Sequence, residues 1–125
     1  PRWGTMSPAK MIAHLRRTLA LSMGEHPAED RSIPLLRRGM FWLATRGLPW
    51  PRGHLPAPAD WTPEPAGDLQ TELDHLVADM QRFARQADRT PRRRSVHTLF
   101  GPLTLDDWAR LHGRHIEYHL RQFGA

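Results

Sequence analysis

The 125-residue sequence contains no cysteine. That absence excludes disulfides, thiolate metal ligands and a cysteine nucleophile together. Any metal has to be held by imidazole, carboxylate or water, and thiol chemistry needs a thiol brought from outside. Lysine is almost as scarce. Lys10 stands alone, so the balance of 18 Lys+Arg against 13 Asp+Glu is an arginine balance. The net charge of +5 favours anionic partners. Yet the densest run, Arg92-Arg93-Arg94, has no interleaved aromatics and no reading helix; it reads as a solvated loop, and nucleic acid is a disfavoured partner. No apolar run approaches the ~18 residues of a membrane span, and no charged-then-apolar leader opens the chain. A membrane partner is therefore not expected, and the cytoplasm is the default location. Strand alternation, hairpin signals and repeats are missing too, which points to an all-α fold.

What is present fits one domain over residues 1–125, with 39% hydrophobic and 25% charged residues. Ser7-Pro8 is a helix start, with serine as cap and proline where no N–H is missed. Met11, Ile12, Leu15, Leu19 and Met23 then recur at helical spacing, predicting a helix over 8–23 closed by Gly24. Pro34 and Gly47 bracket a shorter helix over 34–46. From 48 to 67 prolines dominate and forbid a helix or central strand, while Trp50, His54 and Trp61 suggest that this loop packs across the body. Asp68 caps a third helix over 68–88, with Leu69, Leu73, Leu76, Met80, Phe83 and Ala87 in one stripe. A loop over 88–103 follows, and Thr104 caps the last helix, 104–123, with Asp106 and Asp107 in its first turn.

Eight histidines are an enrichment, and their placement matters more than their number. At about 100° per residue, His112, His115 and His119 share the last helix's apolar face with Leu105, Trp108, Ile116 and Phe123. His115 and His119 lie one turn apart, a spacing at which two imidazoles can grip one ion. Two buried imidazoles without a shared partner leave ring nitrogens unpaired at a cost of ~1–3 kcal/mol per group. A lone histidine on an apolar face is more often a hydrogen-bonded core residue, but the HxxxH pair with a third candidate favours a metal. That third candidate is His14, on the flank of the first helix's apolar face beside Met11, Thr18 and Leu21. Glu117 falls two residues after His115 and projects away, so this is not the HExxH arrangement of a zinc peptidase. His112 is expected beside the ligands or in the pocket, and His97 either at the pocket mouth or capping the approach to the last helix. His75 is expected in an exposed charge cluster with Glu72 and Asp79, and His26 and His54 in loops.

Taken together, Trp3-Gly4-x-Met6-Ser7-Pro8 leading to His14-Leu15, and Phe100-Gly101-x-Leu103-Thr104, Trp108, Leu111-His112, His115 and His119-Leu120-Arg121-Gln122-Phe123, resemble the DinB/YfiT-like superfamily. The likeness is closest to a branch catalogued as a domain of unknown function. It covers both ends of the chain well and the middle only in helix–loop–helix spacing. The resemblance implies an up-down four-helix bundle with a three-histidine metal site made by His14, His115 and His119, and a polar neighbour at Gln122. The superfamily's long helix ahead of the tryptophan lead-in has no counterpart before Trp3; it is either lacking here or partly replaced by the helix over 34–46. Characterised members include bacillithiol- or mycothiol-dependent S-transferases and a metal-dependent hydrolase-like protein.

Three neutral imidazoles leave coordination positions open for water or substrate. Zinc is the first expectation, with nickel and ferrous iron behind it. The leading expectation is a metal that activates a thiol or water for transfer or hydrolysis, acting on a small anionic or thiol-bearing molecule. The rival is a non-catalytic binding or stress-response module whose metal or histidine cluster only pins two helices. Whether the protein is an enzyme turns on a general base. Glu72, Asp79 and His112 are the candidates, and none is compelling. The sequence leaves a homodimer open.

Overall fold

The computed structural model describes residues 1–53 and 58–125; the loop position expected for His54 lies outside them. Helix α1 spans Pro8–Ser22, and the Ser7 hydroxyl accepts from the Lys10 N–H, as the Ser-Pro start requires. Met11, Ile12, Leu15, Leu19 and Leu21 are all buried. The helix is thus enclosed on most sides and forms the axis around which the other elements pack.

Helix α2 is shorter than the sequence suggests. It covers only Arg37–Trp42, then widens into a π-helical turn, Leu43–Gly47. Phe41 anchors it, with its ring 5.7 Å from that of Phe100. Within the proline-rich stretch, Ala59–Trp61 forms one 3₁₀ turn that buries Trp61.

Helix α3, Leu69–Arg89, is capped by Asp68, whose carboxylate accepts from the Thr71 N–H at 2.8 Å. Its buried residues are Glu72, Leu76 and Phe83, whereas Leu69, Leu73, Val77 and Met80 are exposed. The apolar stripe is therefore rotated partly out of the core. Arg16 of α1 is the reason: its guanidinium meets Glu72 at 3.2 Å and Asp79 at 2.8 Å, drawing both carboxylates inward. Arg82 extends the network to Asp79 and Glu25.

The expected all-α chain and its up-down four-helix bundle are corrected here. Strands β1 (Arg94–His97) and β2 (Gly101–Thr104) pair antiparallel, with Ser95 opposite Leu103 and His97 opposite Gly101. Among the described residues, the architecture is three long helices, one short helix and a hairpin. Gly101 turns the hairpin with φ +68°, and a Cβ there would meet Arg37 Nη1 at 2.8 Å. The hairpin packs against the end of α1 and the start of α4. The Ser95 hydroxyl donates to the Ser22 carbonyl, and the Trp108 indole N–H donates to the Ser95 carbonyl at 3.1 Å.

Helix α4, Leu105–Gln122, opens with a capping box in which Thr104 and Asp107 bond each other's backbone N–H. Leu105, Trp108 and Leu111 fill the core beside α1. Each such side chain contributes roughly 1.5–3 kcal/mol by leaving water. Among the described residues, no helix is long and apolar enough to cross a membrane.

Candidate metal centre

Burial of α4's inner face carries His115 and His119 inward, and α1 brings His14 across to meet them. The His14 and His115 Nε2 atoms lie 2.9 Å apart, and those of His119 and His115 lie 3.1 Å apart. One ligand atom from each of the three rings falls within 4.8 Å of the others. These three histidines could hold one metal ion.

Their partners determine where the protons sit. The His14 Nδ1–H donates to the Trp61 carbonyl at 2.7 Å, which leaves Nε2 bare. Gln122 does the same for His119. Its amide nitrogen donates to the Trp3 carbonyl at 3.0 Å, so its oxygen faces His119 and accepts from the Nδ1–H at 2.7 Å. Two bare Nε2 atoms thus face the Nε2 of His115. A proton on that atom can bond one of them and not both, and without it all three lone pairs converge, so at least one bare nitrogen is left without a partner. A cation between the rings removes this conflict. Tetrahedral ligands at zinc–imidazole distances stand about 3.3 Å apart, a few tenths of an ångström beyond two of the three separations, and the third is within 4.8 Å. The donor set fits.

Electrostatics favour the same state. Burial lowers the His14 pKa to about 4, opposed by the bond to Trp61 and aided by His119. Burial, reinforced by the neighbouring histidines, holds His115 well below the ordinary imidazole range. Burial also lowers His119, against the bond to Gln122. Neutral rings at pH 7 are ready ligands. His14 is 4% exposed and His119 is 6% exposed, whereas His115 is partly open.

A family model described as "Protein of unknown function (DUF1569)" matches residues 2–125. The chain belongs to the DUF1569 family. No curated protein and no solved structure matches it.

The remaining histidines of this DUF1569 protein lie elsewhere. The ring of His112 stacks on Trp108 at 5.4 Å and stands edge-on to Phe83. Its Nε2 lies 2.9 Å from the Ser22 hydroxyl. That hydroxyl donates to the Leu19 carbonyl, so the imidazole is the donor to it. His97 is buried among Trp61, Phe100 and Trp108, and its Nδ1 accepts from the Leu99 N–H at 3.0 Å. Neither ring joins the three. Burial lowers His97 to about 4 and His112 to about 3. His75 is exposed, and His26 pairs with Arg17 at 2.7 Å. Glu72 and Asp79 face Arg16 instead of the cluster, so no carboxylate completes the histidine group among the described residues.

Two features of the site escape sequence reasoning. One is the Trp61 carbonyl, a backbone acceptor that no residue type announces, although a tryptophan among prolines signals that this segment docks. The other is an outer wall. Trp50 lies 5.9 Å from His115, and Tyr118 lies 5.2 Å from His119. The Tyr118 hydroxyl accepts from the Trp3 indole and the Gly53 N–H and donates to the Pro51 carbonyl. It pins the chain's first residues and the segment around Trp50 onto α4.

Proposed function

We propose that the protein is a divalent-metal protein whose ion is held by His14, His115 and His119. Zinc is the foremost metal, followed by nickel and ferrous iron. The observation that carries this reading is the pair of bare Nε2 atoms, fixed by Trp61 and Gln122, that face the third imidazole. An apolar or hydrogen-bonded core would not be arranged in this way.

When bound, the metal supplies a Lewis acid that lowers the pKa of a thiol or water and readies it as a nucleophile for transfer or hydrolysis. The chain's own residues do the rest. Trp61 and Gln122 hold two rings in one tautomer and orientation, a role that usually governs metal affinity. The buried sides of His14 and His119 exclude water, and the His115 side admits a partner. Kinship with the DinB/YfiT-like superfamily is part of the proposal, supported by the same three residues and the tryptophan lead-in at Trp3.

The absence of a carboxylate from the cluster favours one rival: a metal that only pins α1 to α4. Elemental analysis of protein purified without a polyhistidine tag should find about one equivalent of metal. A screen with thiol acceptors and hydrolysable esters or amides then separates the readings. Turnover that chelation abolishes supports the catalytic one. Metal that raises thermal stability without any turnover supports the rival, and absence of metal overturns both.

A further inference from the structure

A cavity of about 320 Å³ opens beside the histidine cluster, walled by Trp3, Trp50 and Tyr118 and by Arg52, Arg114 and Arg121. Trp50 and Tyr118 belong to both places, since their rings also lie 5.9 Å from His115 and 5.2 Å from His119. The cavity and the cluster therefore share these two side chains as a wall.

Its charge is unbalanced. Glu117 is the one carboxylate among its walls, and it is taken by Arg121 at 2.6 Å, with Arg114 farther off at 3.8 Å. The Arg52 guanidinium lies over the Trp3 ring at 4.8 Å. Among the described residues, Arg114 is held only by one Nη2 bond to the Leu48 carbonyl at 3.2 Å and by that long contact from Nη1 to Glu117. A loosely held guanidinium that lines a cavity together with two indoles suits a planar anion. Glu117 in the same wall disfavours a dianion such as phosphate and leaves a single carboxylate as the better fit.

We propose that this cavity seats the carboxylate end of the molecule on which the metal centre acts, with Arg114 as the specificity-determining residue. The proposal rests on the reading of the three-histidine centre given above. The substrate class is then a small carboxylic acid with an apolar body that lies along Trp50 and carries its reacting group toward His115.

Two titrations test the cavity and the centre separately. The first uses metal-free protein, with hexanoate and its uncharged analogue hexanol followed by calorimetry. Hexanoate should bind about 10-fold or more tightly, as expected for a charge-assisted pair. Arg114→Gln should erase that preference and leave hexanol unchanged, while Glu117→Gln should strengthen hexanoate several-fold. Equal binding of hexanoate and hexanol by the unaltered protein would overturn the proposal even if the Arg114 variant fails to fold. The second titration loads cobalt and follows its visible spectrum as 6-mercaptohexanoate or 6-mercaptohexanol is added. The acid should perturb the spectrum at about 10-fold lower concentration. Equal potency of the two thiols separates the cavity from the centre and overturns the link between them. A protein that takes up no cobalt overturns the metal reading alone, and the first titration still decides whether the cavity takes a carboxylate.

Discussion

Helix α4 carries two histidine environments a single turn apart, and they differ in how their hydrogen bonds are completed. His112, with His97 beside it, and the trio His14, His115 and His119 are all inward-facing, and burial holds every one of these rings in the neutral form. Around Trp108 the hydrogen bonds close: His112 donates to Ser22, and His97 accepts from Leu99. At the carboxy-terminal end they do not close, because Trp61 and Gln122 take the outer protons and leave the inner nitrogens facing one another. Burial and lowered pKa therefore do not identify a ligand. What identifies it is where the partner of each nitrogen lies.

The largest expected effect breaks the comparison directly. His115→Ala should abolish stoichiometric metal, whereas His112→Ala should retain it and instead cost about 2–3 kcal/mol of stability through the lost packing and the lost hydrogen bond to the Ser22 hydroxyl. Elemental analysis and urea unfolding on the same preparations decide it. Equal metal loss in both variants would erase the distinction between the two environments.

Acid should act on both environments, through the same sign. An unfolded imidazole titrates near pH 6.5, while His97 and His112 in the fold resist protonation down to about 4 and about 3. Below pH 6.5 the unfolded chain thus binds protons that the folded one refuses. The contribution of these rings is whole above pH 6.5 and is lost as pH falls toward those values, on the order of 3 kcal/mol per ring at the acid end. Unfolding free energies of the metal-free protein between pH 8 and pH 4 should fall accordingly. A flat profile would contradict the burial of these rings.

The smallest effects sharpen the contrast. Gln122→Leu frees the His119 ring and should weaken metal binding by about 10–100-fold. Ser22→Ala, at the closed end, should cost about 1 kcal/mol and leave metal affinity unchanged. Competition with a chromophoric chelator measures the first, and thermal unfolding the second.

Much of this arrangement is legible in the sequence because it depends on local signals. Ser7-Pro8, Asp68 and Thr104 each cap the helix that their chemistry announces. The four-residue step from His115 to His119 determines a shared face before any tertiary contact exists. The hairpin is hidden because each strand is only four residues long, with Pro102 inside the second, so no alternating pattern can develop. The orientation of α3 is hidden for another reason. Its hydrophobic stripe predicts Leu73 and Met80 inside, but Arg16 on a different helix makes Glu72 the buried residue, at 1% exposed. The turn over 34–36 and the widening at Leu43–Gly47 shorten a helix that its flanking Pro34 and Gly47 make look longer.

The bond from Gln122 to the Trp3 carbonyl spans 119 positions along the chain. Gly4, at φ +74°, leaves no room for a side chain there, since a Cβ would stand 2.9 Å from the Gln122 amide. During folding, the His115–His119 pair is available as soon as one helix forms, whereas His14 and the brace on His119 wait until the two extremities meet. Closing so long a loop is slow relative to helix growth. Under the proposed metal reading, tight capture of an ion should therefore be among the last events of folding, after the segments around Trp3 and Gln122 have met.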